Sequence, residues 1–408
     1  MGQDRPLKIA YLCDQPPEDR FTYSGGNQRI CKALRDHVGE VTVLSSGWHA
    51  AQPVRAMIET MPDAITMRAD WRAHLALARI IARGVRRELA QARYDVLFCA
   101  YSFQSLMGLN LPYPMLRAFS SDATPTAYKR SVVGQEFGSY LKIARVLDPL
   151  ILRAERRVFR RCDLLFWPSA WLKSEADALY GLSPEASHLV PWGANIDDPG
   201  SAAPVPIGAG APLRLLLLGR DWHAKGGPIA FDTMQALRAR GLDARLTVIG
   251  CTPPDHHRDA HVTVHAHLDK GKPDERGTLL HHLDTAHFMV MPSYESYGFA
   301  FCEASAHGLP SLCLRVGGVP VRDGINGHAL PPDATAAEFA ACIARYVDDP
   351  DNYAKLRQSS RREYTTRLNW KSWGKTVRAR LLAARASVAG AARHNAKGPH
   401  HDPQVRQE

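Results

Sequence analysis

The sequence holds no apolar run near the roughly 18 residues that cross a bilayer as a helix, no Cys-x-x-Cys, no Gly-x-Gly-x-x-Gly and no Asp-x-Asp behind a strand pattern. Each gap removes a class of protein. The first argues against a spanning helix, and the opening "MGQDRPLKIAYLCD" is too polar for a secretory signal, so a cytoplasmic setting is the expectation. The cysteines stand singly at Cys13, Cys31, Cys99, Cys162, Cys251, Cys302, Cys313 and Cys342, which suits small buried hydrophobes in a reducing compartment. Without the glycine fingerprint a dinucleotide site is not indicated. The one Asp-x-Asp, Asp349 to Asp351 in "VDDPDNYAKL", precedes a helix pattern and reads as a cap, so no metal is expected there.

Charge is what the sequence has in excess. Lysine and arginine number 51 against 41 acids, a formal balance of +10 over 408 residues. An anionic partner follows: nucleic acid, a membrane surface or a phosphorylated small molecule. No nucleic-acid module or aromatic platform is present, so nucleic acid is not expected. The stretches "ARIIARGVRRELAQAR" and "LILRAERRVFRRCD" set Arg79, Arg83, Arg86, Arg87 and Arg153, Arg156, Arg157, Arg160, Arg161 beside apolar residues. Such faces fit peripheral contact with anionic lipid at the inner face of a membrane, and equally a solvated helix packed on a sheet.

Short branched runs, "LKIAYLC", "VTVLSS", "YDVLFCAY", "PMLRAFS" and "DLLFWPSA", alternate with helical patterns in the first half. Runs apolar on both faces that alternate with helices indicate a parallel sheet between helix layers. "DDPGSAAPVPIGAGAP" then breaks all periodicity and serves as a linker. The alternation restarts with "LRLLLLGR", "ARLTVIG", "HVTVHAH", "AHFMVMPS" and "SLCLRV". The expected organisation is a first domain over residues 1–198, a linker at 199–212, a second domain over 213–368, a helix at 369–390, and a disordered tail at 391–408. In doubly wound sheets ligands sit beyond the carboxyl ends of the strands, so the loops after each strand are where chemistry belongs.

Three such loops stand out. Gly25 and Gly26 precede a helix, where backbone N–H groups at the positive end of the helix dipole suit a phosphate or sugar oxygen, or where the pair simply makes a tight turn. "LLLLGRDWHAKGG" places Arg220 and Lys225 in one loop, two cations able to clamp a diphosphate and stabilise it as a leaving group. "PSYESYGFAFCEASAHGLP" carries Glu295 and Glu303 around Gly298. A hydrolytic pair needs carboxyl groups about 5–5.5 or 6.5–9.5 Å apart, whereas eight residues span about 12 Å on a helix and about 26 Å on a strand. A loop that turns into a helix at Gly298 reconciles them: Phe299 and Ala300 offer free N–H groups to phosphate, Glu303 accepts from vicinal ribose hydroxyls, and Glu295 reaches a hydroxylated group on the other side.

Taken together, the "GR" with a following Lys-Gly, the string "PSYESYGFAFCEASAHGLP" and the later "GG" resemble the retaining glycosyltransferases of family 4, over nearly the whole chain. The resemblance implies the GT-B fold, α/β, with two Rossmann-like doubly wound parallel-sheet domains, a cleft between them, and the helix at 369–390, with "SWGKTVRARLLAA", crossing back to the first domain. It implies transfer of a sugar from a UDP- or GDP-type nucleotide donor to a hydroxyl of a glycan, lipid-linked or small-molecule acceptor, with no cofactor and no essential metal. By position, Arg220 and Lys225 would bind the pyrophosphate, Glu303 the ribose, Glu295 the transferred sugar, and Gly25 and Gly26 would close on the donor. Asp122, in "RAFSSDATPTAYKR", stands where the family often has a histidine, and either contacts donor sugar or acceptor or makes an Asx turn or helix cap before Thr124 and Pro125. "GGVPVRDGING" lacks the family's usual Glu, and Trp192 stands where Asn is common. His261, His265 and His267 alternate along a strand without a Cys or Glu partner, which favours a polar strand end near the nucleobase over zinc. An epimerase or phosphorylase on the same fold and a non-catalytic nucleotide-sugar-binding module are the competing functions.

Overall fold

The structure is a computed structural model that describes residues 5–20, 22–136, 146–200, 204–208 and 210–396. The first domain contains β1 (Leu7–Leu12), α1 (Gly26–His37), β2 (Gly39–Val43), α2 (Gln52–Glu59), α3 (Asp63–Ala90), β3 (Val96–Ala100), β4 (Leu116–Ser120), α4 (Pro125–Arg130), α5 (Val132–Glu136), α6 (Asp148–Phe159), β5 (Leu164–Trp167), α7 (Ala170–Tyr180) and β6 (Ser187–Leu189). The second contains β7 (Leu213–Leu218), α8 (Gly227–Ala239), β8 (Ala244–Ile249), β9 (Val262–His265), α9 (Pro273–Thr285), β10 (Phe288–Val290), α10 (Phe299–Ala306), β11 (Ser311–Leu314), β12 (Gly327–Leu330), α11 (Ala336–Val347) and α12 (Pro350–Thr366). α13 (Trp370–Ala396) ends the described chain and runs into the segment expected as a tail; residues 397–408 lie outside the described residues.

Each domain has a six-stranded parallel sheet, in the order β2-β1-β3-β4-β5-β6 and β12-β11-β10-β7-β8-β9. Central strands such as β3 and β5 are buried at every residue, as their unbroken apolar runs require when helices cover both faces. On one face of the first sheet Ile30 and Leu34 of α1 pack with Phe98, and on the other Ile81 and Val85 of α3 pack with Leu97 and Phe119. Trp373, Val377 and Leu381 of α13 join the first of these cores, with Trp373 edge-on to Phe98 at 6.1 Å. That same core takes in Tyr297 and Cys302 around α10, so the contact between the domains is apolar and continuous with the interior of the first.

β6 and β12, which no sequence run announced, are edge strands of three and four residues. The Asp349 side chain caps α12 by accepting from Asn352 N at 3.1 Å. Among the described residues no helix is long and apolar enough to cross a membrane.

Candidate functional site

Strand order reverses between β1 and β3 in the first sheet and between β7 and β10 in the second. A crevice opens at such a point because the flanking connections leave to opposite faces. The connections behind these four strands carry the predicted site residues except Asp122, which follows β4, and they face one another across the cleft. A Cβ on Gly26 would lie 1.9 Å from Tyr101 Oη, behind β3, and 3.0 Å from the Phe299 ring at the start of α10. Only glycine permits that approach. Gly25 caps α1 in the left-handed conformation, φ 80°.

Behind β7, Gly219 lets the Lys225 stem fold back, since a Cβ there would lie 2.2 Å from Lys225 Cγ. The Lys225 ammonium pairs with Glu295 Oε1, which also accepts from Ser293 Oγ at 3.1 Å. Arg220 stands exposed in the same loop. Behind β10, which ends at Val290 rather than at Pro292 or Ser293, Gly298 adopts φ 87° as the N-cap of α10. Phe299 and Ala300, as its first residues, have no intrahelical acceptor for their N–H groups. Glu303, one turn in and 4% exposed, is met by Lys270 Nζ at 2.7 Å. The two glutamates therefore do not pair; each has its own ammonium group.

Asp122 comes in from the first domain and accepts from Ser296 Oγ at 2.5 Å. Burial raises its carboxyl above the usual range, the Ser296 bond pulls it back, and the Glu295 charge pushes it up again. The cap before Pro125 is Thr124, whose side chain accepts from Ala127 N, so Asp122 is left for the cleft. The later glycine pair supports this loop from behind. A Cβ on Gly317 would lie 2.1 Å from Glu295 O, and one on Gly318 2.1 Å from Ser296 O and 2.6 Å from Ser169 Oγ.

Sequence reasoning missed several residues of the cleft. Asp14, at the end of β1, accepts from Tyr23 Oη at 2.9 Å and Gln104 Nε2 at 2.9 Å, and burial raises its carboxyl. Tyr23 stacks on Tyr101, centroids 4.1 Å apart, and Tyr23, Ser24 and Tyr101 all hold positive φ of 52–60°. Left-handed non-glycine residues are strained, and their grouping marks a place where conformation serves contact rather than stability. The Tyr101 hydroxyl is buried and finds no hydrogen-bond partner among the described residues. Trp192 is fully buried, stacks on Phe299 at 5.7 Å, and its carbonyl accepts from Tyr297 Oη at 2.7 Å. No local pattern announces Lys270, one basic residue among 51. His265 Nε2 lies 3.0 Å from His282 Nε2, and His267 falls past the end of β9. Among the described residues no group of three or more His, Cys, Asp or Glu could hold a metal ion.

Two family models match the chain: Glycosyltransferase Family 4 over residues 27–198 and Glycosyl transferases group 1 over residues 212–349. It is 28% identical over 259 residues to a glycogen synthase of Mycobacterium tuberculosis, a match that spans 60% of this chain and 59% of that one. It is 27% identical over 301 residues to a GDP-mannose-dependent phosphatidylinositol monomannoside mannosyltransferase of Mycolicibacterium smegmatis, spanning 68% and 75%. Among solved structures it resembles the lipopolysaccharide outer core galactosyltransferase WaaB (TM-score 0.64, 12% identity, 92% and 99% covered). It also resembles the sucrose-phosphate synthase of Thermosynechococcus elongatus (TM-score 0.59, 17% identity, 97% and 100% covered). These likenesses establish the GT-B glycosyltransferase fold.

Proposed function

The chain belongs to glycosyltransferase family 4, and from that premise we propose that it transfers a sugar from a UDP- or GDP-type nucleotide donor to a hydroxyl of a glycan, lipid-linked or small-molecule acceptor. The observation that carries this is the Lys225–Glu295 pair beside the α10 N-terminus, at the point where the second sheet reverses its order. A donor diphosphate entering there would draw Lys225 off Glu295, with Arg220 and the N–H groups of Phe299 and Ala300 completing an oxyanion clamp. Glu295, relieved of its ammonium partner, is then free to accept from hydroxyls of the transferred sugar. Glu303 takes the ribose, with Lys270 balancing its charge.

Transfer proceeds with retention. The acceptor oxygen bonds to the anomeric carbon on the face from which the diphosphate leaves, the carbon–oxygen bond to phosphate breaks, and the acceptor proton passes to the departing phosphate oxygen. No essential metal enters, because the charge that develops on the leaving group falls on the cation clamp. Asp122, held by Ser296 beside Glu295, and the unpartnered Tyr101 hydroxyl form the acceptor side. The setting is cytoplasmic. Thermal melting against UDP, GDP, ADP and their sugars tests the reading, since a ligand at about 100 times its Kd stabilises by about 2.7 kcal/mol. A chain whose melting moves with none of them is not a nucleotide-sugar enzyme; one that converts the donor with no acceptor present is an epimerase.

A further inference from the structure

At the opposite ends of the first sheet's strands from the cleft, α3 and α6 wall a cavity of about 710 Å³. Its position follows from its lining: Arg117 opens β4, and Arg161 and Cys162 lead into β5. Among the described residues six arginines line it, Arg79, Arg83 and Arg86 from α3, Arg157 from α6, and Arg117 and Arg161, and no carboxylate does. The sequence presented all of these but Arg117 as parts of two separate basic helices. The fold turns the two faces toward each other.

Two of the six are fixed by backbone carbonyls: Arg86 Nη1 donates to Asn110 O at 3.0 Å, and Arg117 Nη2 donates to Leu109 O at 3.3 Å. Arg79, Arg83, Arg157 and Arg161 make no ion pair among the described residues. Compare Arg55, which faces both Glu59 and Asp70. Burial lowers the Arg117 guanidinium below its ordinary range, with the Arg161 charge adding to the effect and Cys162 and Asp163 opposing it. The floor is apolar, with Ala82 and Val158 buried. A concave low-dielectric floor beneath like charges focuses their field outward. Guanidinium forks match phosphate two bonds at a time, and the volume falls within the roughly 300–1,000 Å³ of small-ligand sites.

We propose that this cavity binds a ligand bearing two or more clustered phosphate groups, independently of what the cleft binds. Either a soluble phosphate ester or the headgroup of a phosphorylated lipid supplies that chemistry.

The test is calorimetric titration of the full chain with inorganic tripolyphosphate, wild type against R83Q/R157Q. Arg220 and Lys225 remain in both proteins, so any difference belongs to the cavity. Loss of two charge-assisted contacts should weaken binding by roughly tenfold or more, and added salt should narrow the gap. Both arginines are exposed, so the melting temperature should hold. R87Q/R153Q, which removes exposed arginines of the same helices outside the lining, should bind as wild type does. Equal weakening in both pairs, or none in R83Q/R157Q, overturns the proposal. Flotation with phosphatidylcholine vesicles, with and without a phosphomonoester lipid, separates the sources. Capture by the phosphomonoester vesicles that is lost in R83Q/R157Q makes the ligand a lipid headgroup, tripolyphosphate binding without capture makes it soluble, and failure of both sinks the site.

Discussion

Replacing Lys225 by alanine removes the ammonium that closes on Glu295 and, in the proposed reaction, holds the leaving diphosphate. Turnover should fall on the order of 10² to 10³-fold, the scale for loss of one oxyanion donor, and unchanged turnover would take the clamp out of the mechanism. A second residue-scale effect concerns pH. Glu155 is fully buried, accepts from Thr126 N at 3.0 Å and also from the Thr126 hydroxyl, and burial pushes its carboxyl up to about 7 from 4.5. Between those values the unfolded chain releases this proton and the folded chain keeps it, so this group's contribution to stability falls as pH rises. Burial drives His74 and His287 the other way, down to about 4 from 6.5, so their contribution rises with pH over that interval. In wild type the trends oppose one another. E155Q removes the falling one, and its melting temperature should climb more steeply than wild type's between about pH 5 and 6.5; parallel slopes would mean that Glu155 titrates normally.

At the scale of elements, the Glu295 loop is set by what presses on its back. Gly318→Ala would drive a methyl into Ser296 O and Ser169 Oγ, so stability should drop by about 1–3 kcal/mol and donor KM should rise more than that of Gly277→Ala, whose Cβ would meet nothing within 4 Å. Calorimetric melting and initial rates on the two variants check this, and matching behaviour would make Gly318 an ordinary turn residue. The sequence showed this loop well, because a strand, a glycine turn and a helix start are all local patterns; α10 begins at Phe299, where Gly298 requires it. It showed ten of the strands for the same reason. β6 and β12 read Ser-His-Leu and Gly-His-Ala-Leu, with no branched apolar run to announce a strand. Asp14, Tyr101, Ser296 and Lys270 were not legible, since each owes its place to a partner brought near by folding, as Ser296 meets Asp122 from 174 positions away.

On the scale of the molecule, the two domains are joined by more than the linker, because α13 returns to the first. Trp373→Ala would empty a site fully within the first domain's core and should cost about 3–5 kcal/mol, read by denaturant unfolding. A loss confined to the second domain's transition would contradict the packing. The returning helix also bears on how the protein is made. Domains generally close in the order in which the ribosome delivers them. Here the core that contains Ile30 and Phe98 waits for Trp373, Val377 and Leu381. The domain begun first is therefore finished last, and through most of translation the nascent chain carries an apolar face that Tyr297 and Cys302 of the second domain later cover in part and that α13 closes at the end.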